Sequence, residues 1–115
     1  MNAIALTLVY NTPEYSRTML SMLPSVRVID NGSTPEIENS WLRSERNLLF
    51  SGGWNYALTV VDRIYPSATH VWMLNSDVLG VSEGMMAELY SIAIKNNLVA
   101  VSPRSPRSMW PQMRS

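Results

Sequence analysis

Residues 3–14 read Ala-Ile-Ala-Leu-Thr-Leu-Val-Tyr-Asn-Thr-Pro-Glu, and this order decides the fold. Ala3 to Val9 is an apolar run without polar alternation, which describes a strand covered on both faces, as in a parallel sheet. Tyr10-Asn11 interrupts it. Thr12-Pro13-Glu14 then carries the marks of a helix start. Thr12 suits the N-cap, Pro13 suits the first helical position, and Glu14 complements the positive end of the helix dipole. A covered strand that passes directly into a helix is half of a βαβ unit. The helix is expected to run to about Leu23, with Tyr15, Met19, Met22 and Leu23 facing inward and Pro24 at the exit.

The pattern repeats outward from there. Val26 to Asp30 is a second strand, and Asn31 to Pro35 is a turn by composition. Between Glu36 and Asn47 the expectation is a short helical turn and then a short strand near Trp41 to Arg46. Ser51 is placed as the cap of a further helix, because Trp54, Ala57, Leu58, Val61, Ile64 and Tyr65 recur at helical spacing. Thr69 to Leu74 is a strand ending at Asn75-Ser76-Asp77. Ser82 caps a helix with Met85, Leu89, Ile92 and Ala93 inward, and Leu98 to Ser102 reads as a last strand. Strands and helices alternating at these lengths imply an α/β domain with right-handed crossovers and a mainly parallel sheet. The domain is assigned to residues 1–102. Residues 103–115 form a basic tail with Pro103, Pro106, Pro111, Arg104, Arg107 and Arg114 and no acid. Its Trp110 is a candidate cover for apolar surface.

Composition narrows the function classes. The 115 residues fit one domain, and 46% hydrophobic residues suffice for a small core. Nine basic residues balance nine acidic ones, which argues against a nucleic-acid binder held by bulk charge and against attraction to an acidic membrane. There are no cysteines, so thiol catalysis and cysteine-ligated metals are excluded. Met1 to Val9 reads as a strand rather than a signal peptide. No apolar stretch approaches the ~20 residues that span a bilayer. The expectation is a soluble, cytoplasmic protein.

In an open parallel sheet, ligands bind beyond the carboxyl ends of the strands. The segments expected there are Tyr10-Asn11, Asp30 to Ser33 and Asn75 to Asp77. Of the three aspartates, Asp30 and Asp77 fall at these ends, and Asp62 falls on the outer side of a helix. The nucleotide fingerprints G-x-G-x-x-G and G-x-x-x-x-G-K-[ST] are absent. Ser51-Gly52-Gly53 at a helix start can bring backbone amides near an anion, though it is a weak signal alone. A carboxylate-held divalent cation is the more natural phosphate anchor, since Mg²⁺-type ions take one or two carboxylates plus phosphate oxygens. His70 is the only histidine, and it lies at the strand start, away from this edge.

Four blocks carry a family resemblance. They are Leu8-Val9-Tyr10-Asn11, Val28-Ile29-Asp30-Asn31-Gly32-Ser33, Asn47 to Asn55 (NLLFSGGWN) and Met73-Leu74-Asn75-Ser76-Asp77-Val78. In this order and spacing they resemble the successive blocks of family 2 glycosyltransferases, closest to the rhamnosyltransferase-like branch. The resemblance runs from Ala3 to about Ser102. It implies a GT-A fold, a Rossmann-like three-layer sandwich truncated to its nucleotide-binding half. It implies a donor of the UDP- or dTDP-sugar type and a divalent metal, Mn²⁺ or Mg²⁺. By the same resemblance Tyr10 and Asp30 meet the base and ribose, and Gly52, Gly53 and Asn55 line the nucleotide pocket; Asn11, beside Tyr10, is a further nucleotide-binding candidate. Asn75 lies by the ribose and Asp77 holds the metal. Asn75 stands where a D-x-D motif has its first carboxylate, and Trp54 stands where the family has a small polar residue. The family's acceptor site and catalytic base lie in a second half to which nothing here corresponds.

Three readings follow. In the first, the chain is a metal-dependent glycosyltransferase-like enzyme that transfers or hydrolyses the sugar, with Glu83 and Glu88 as remote candidates for the missing base. In the second, it is a non-catalytic nucleotide-sugar-binding module, with homo-oligomerisation covering the apolar surface left by the absent half. In the third, it is a doubly wound domain of unrelated function, which requires no metal-dependent nucleotide binding at all.

Overall fold

The computed structural model describes residues 1–101, so the tail at 103–115 lies outside the described residues. The elements are β1 (Ala3–Val9), α1 (Pro13–Met22), β2 (Arg27–Asn31), β3 (Leu42–Ser44), α2 (Leu49–Ile64), β4 (His70–Asn75) and α3 (Glu83–Lys95). They build one sheet in the order β3-β2-β1-β4, and every pairing is parallel. The α/β class and the parallel sheet agree with the sequence reading.

The alternation of β1 sets the layers. Ala5 and Val9 face one way, into a cluster with Met19 of α1, its C-cap Leu23, Val28, Leu74 and Met86 of α3. Ile4 and Leu6 face the other way, against Ile29 and the Trp54, Ala57 and Val61 stripe of α2. Thus α1 and α3 cover one face and α2 covers the other. Each fully buried aliphatic side chain contributes about 1.5–3 kcal/mol, so β1, buried on both faces, organises the core. Thr7 is its one polar residue, and the buried hydroxyl is satisfied by donating to the Leu74 carbonyl at 3.0 Å.

Several local expectations are corrected. No strand forms over Leu98 to Val101, and Ser102 lies outside the described residues. The Leu98 N–H instead donates to Ala93 O at 2.8 Å, with Asn97 left-handed at φ 53°. That exchange closes the C-terminus of α3, and the described residues after it form no ladder with the sheet. Residues Glu36 to Ser40 hold a turn at Glu38-Asn39 rather than a helix, because the Ile37 N–H is drawn to Asp30. Ser51 lies inside α2, which starts at Leu49. Thr12 makes no side-chain cap, leaving Pro13 and Glu14 to mark the start of α1. Ser82 does cap α3, accepting from Met85 N at 3.1 Å. Tyr15, Ile64 and Ile92, expected inward, are exposed, whereas Met86 is buried. Met19, Leu23, Trp54, Ala57, Val61 and Ala93 are buried as expected, so the stripes hold and only residues at their margins differ.

Candidate functional site

Strand register gathers the expected segments at one edge. Val9 lies opposite Asp30 and Leu8 lies opposite Asn75, so Tyr10, Asn31 and Asn75-Ser76-Asp77 emerge side by side. Between them runs a cleft in two joined lobes. One lobe, about 340 Å³, is lined by Phe50, Trp54, Asn75, Ser76 and Asp77. The other, about 400 Å³, is lined by Tyr10, Thr12, Asn31, Asn47 and Leu49. Leu8, Tyr15, Phe50 and Ser76 border both. A separate hollow of about 290 Å³ lies between β4 and α3, under Val99 to Val101. Its lining is apolar apart from His70 and Tyr90 and carries no carboxylate, so the polar strand-end cleft is the candidate site.

Asp30 stands behind the cleft rather than in its wall, and it is fully buried. One carboxylate oxygen accepts from Ser33 N at 2.9 Å. The other accepts from Ile37 N at 2.9 Å and from the Arg43 guanidinium. Burial pushes its pKa up, but the hydrogen bonds from Ile37, Ser33 and Arg43 outweigh that and hold it below the ordinary carboxylate value. In this arrangement Asp30 shapes the loop after β2. Asn11, left-handed at φ 57°, works beside it. Its N–H donates to Ser33 Oγ and its Oδ1 accepts from Thr34 N.

The glycines sort by the space around them. A side chain on Gly53 would come within 3.0 Å of Asn31 and Leu8, so Gly53 lets α2 approach the sheet. Gly52 would meet only Leu48. Neither glycine, nor the exposed Asn55, borders the two lobes. Substituting Gly53→Ala is expected to lower stability by about 1–3 kcal/mol through overpacking, read as a lower midpoint in chemical denaturation.

Sequence reasoning missed the start of α2. Asn31 Oδ1 accepts from Leu48 N, while its amide group donates to Leu49 O and Asn47 Oδ1. Asn47 Oδ1 also accepts from Leu49 N. Two asparagines therefore do the work assigned to Ser51. They hold Leu49 left-handed at φ 63°, a costly state for a leucine. Leu49 and Phe50 stand 72% and 66% exposed at the cleft. Apolar side chains held out into water at such a cost mark a ligand-facing segment more than a core. The signal available beforehand was an aromatic residue in the first turn of a helix after a polar loop.

Tyr10 is half-exposed and lines the wider lobe. Asn75 and Asp77 are exposed in the narrower lobe. Among the described residues Asp77 is the sole carboxylate in either lobe, and neither lobe is lined by a lysine or arginine. Among the described residues no three His, Cys, Asp or Glu side chains cluster as a metal cage. One carboxylate, an amide oxygen and a hydroxyl form an oxygen donor set that suits a hard divalent cation sharing its shell with phosphate oxygens and water. Glu83 is engaged elsewhere. It accepts from the N–H and hydroxyl of Ser25, which precedes β2 at the opposite end of the sheet.

Among the described residues no helix is long and apolar enough to cross a membrane. No family model, curated protein or solved structure matches this chain.

Proposed function

We propose that the cleft binds a nucleoside diphosphate sugar of the UDP or dTDP type, in a GT-A-like nucleotide-binding half. The observation that carries this reading is the two-lobed cleft itself. One lobe offers an aromatic residue beside an exposed amide and a hydroxyl (Tyr10, Asn47, Thr12), which suits a base and ribose. The other offers Asn75, Ser76 and a lone carboxylate. The four-block resemblance points to the same ligand.

With no lysine or arginine among the described residues of the wall, a divalent metal is the natural counter-charge for a diphosphate. Asp77, helped by Asn75 and Ser76, would hold Mn²⁺ or Mg²⁺ there. Such a metal screens the diphosphate and stabilises it as a leaving group. The side chains of this chain bind and orient the nucleotide.

A second reading concerns turnover. Asp77 is the only carboxylate in the wall, so if it holds the metal none remains there to activate an acceptor or water. That favours a binding module over a self-sufficient transferase or hydrolase.

Calorimetric titration with UDP and dTDP, with and without Mn²⁺, tests the proposal. Metal is expected to tighten binding of one nucleotide at least tenfold, about 1.4 kcal/mol, and Asp77→Ala is expected to abolish that gain without loss of fold. No binding of either nucleotide by folded protein with metal present sinks the reading and leaves an α/β domain of other function. Release of free sugar from the matching donor would favour the enzyme over the module.

A further inference from the structure

The Trp54 side chain is 4% exposed, and its indole nitrogen exposes less than 1 Å². Among the described residues this N–H finds no acceptor, and no other buried side-chain nitrogen or oxygen is left so. A buried donor without a partner costs about 1–3 kcal/mol, so such a group calls for a specific explanation. Packing alone supplies none. Phenylalanine would fill much of the same apolar site without carrying a polar atom inward.

Its location supplies one. Trp54 borders the lobe that holds Asn75, Ser76 and Asp77. Its ring meets Phe50 edge-on, with centroids 6.4 Å apart. Phe50 is the exposed member of the pair, and it follows the strained Leu49. A ligand entering this lobe can displace Phe50 more readily than the buried indole.

We infer that the Trp54 indole N–H is a specificity-determining donor, completed by an oxygen of the bound nucleotide sugar on its diphosphate or its hexose. This rests on the nucleotide-sugar reading and deepens it. A neutral donor suits a lobe without cations, since it recognises oxygen without competing for the metal. The isolated domain carries the cost of an unmade bond, and ligand binding removes it.

The test is replacement of Trp54 by benzothienylalanine, which keeps the ring shape and substitutes sulfur for N–H. Indole N–H signals are followed by ¹⁵N NMR in the wild type, with Mg²⁺ present, and the Trp54 signal is identified by its loss in Trp54→Phe. Probes are UMP, UDP, dTDP and UDP-glucose. The expected result is a downfield shift of the Trp54 signal on ligand binding and about tenfold weaker binding by the isostere. Thermal stability of the unliganded isostere should be equal to or above wild type. A shift with UDP places the acceptor on the diphosphate, and a shift seen only with UDP-glucose places it on the hexose. Nucleotide binding with an unmoved signal and full affinity in the isostere overturns this inference alone, and implies that a trapped water satisfies the donor. Failure of wild type to bind any probe overturns the nucleotide-sugar reading and this inference with it.

Discussion

Asp30→Ala is expected to lower the unfolding free energy by about 3–5 kcal/mol, the usual cost of removing one partner from a buried ion pair. The loss is large because three donors converge on this carboxylate: Ser33 N, Ile37 N and Arg43. Alanine would leave two backbone N–H groups without acceptors and Arg43 with only the more distant Glu36 at 3.7 Å. Small domains have about 5–15 kcal/mol in total, so the variant should sit near the edge of folding. Urea denaturation followed by circular dichroism measures the shift. Asp30→Asn keeps one oxygen acceptor and should lose less.

The same carboxylate sets an acid limb. Its pKa in the folded chain lies below the unfolded value of 3.8. A depressed carboxylate contributes stability that is fully present above the unfolded pKa and is lost as pH falls through the folded one. Wild type should therefore lose stability below about pH 4, and Asp30→Asn should show a flatter profile there. Equal acid slopes in the two proteins would assign the limb to other groups.

Gly32→Ala carries the second large expected effect, a loss of about 2–4 kcal/mol. Gly32 has φ +82°, a backbone state that alanine adopts only under strain. A methyl group there would also lie 2.7 Å from Arg46 O, and nearer still to Arg46 C and Asn47 N. These are backbone atoms and cannot rotate aside. Relief would require shifting the chain that carries Asn47, whose side chain caps Leu49. On the proposed nucleotide reading, affinity should thus fall together with stability, and Gly53→Ala, which presses on Asn31 and Leu8, should disturb the same lobe less directly. A Gly32→Ala protein with wild-type stability would mean that the Arg46-Asn47 backbone yields at little cost.

Most of the sheet was legible because β1 has an unambiguous pattern. Seven residues without polar alternation can only be covered on both faces, and the Thr-Pro-Glu start of α1 follows at once. The misreadings arose where distant partners decide local structure. Ser51 had the right chemistry for a cap, but Asn31 and Asn47 reach the helix start first. Leu98 to Val101 has strand-like composition, yet the Leu98 N–H is taken by the end of α3. For the site, strand-end logic placed Tyr10, Asn75 and Asp77 in one cleft. It could not separate Asp30, which holds the loop from behind, or Gly52, Gly53 and Asn55, which lie off the lobes. Phe50 had a sequence signal, an aromatic residue in the first turn of α2 after a polar loop, whereas the exposure of Tyr15, placed inward by its spacing, depends on the angle at which α1 leaves the sheet.

The bonds around the cleft are unevenly shared between its two sides. Behind Tyr10, the loops after β1 and β2 and the start of α2 are laced together by Asn11, Asp30, Asn31, Ser33 and Asn47. Across from them, Asn75 is held by the pairing of β4 with Leu8, but Ser76-Asp77 beyond it is spanned, among the described residues, only by the turn contact from Val78 N to Asn75 O at 3.2 Å. The cleft thus has a stiff jaw and a compliant one. Any guest would be met by a preformed surface on the first side. The entropy of fixing the second would fall mainly on Ser76 and Asp77, the latter the one carboxylate among the described residues of the cleft.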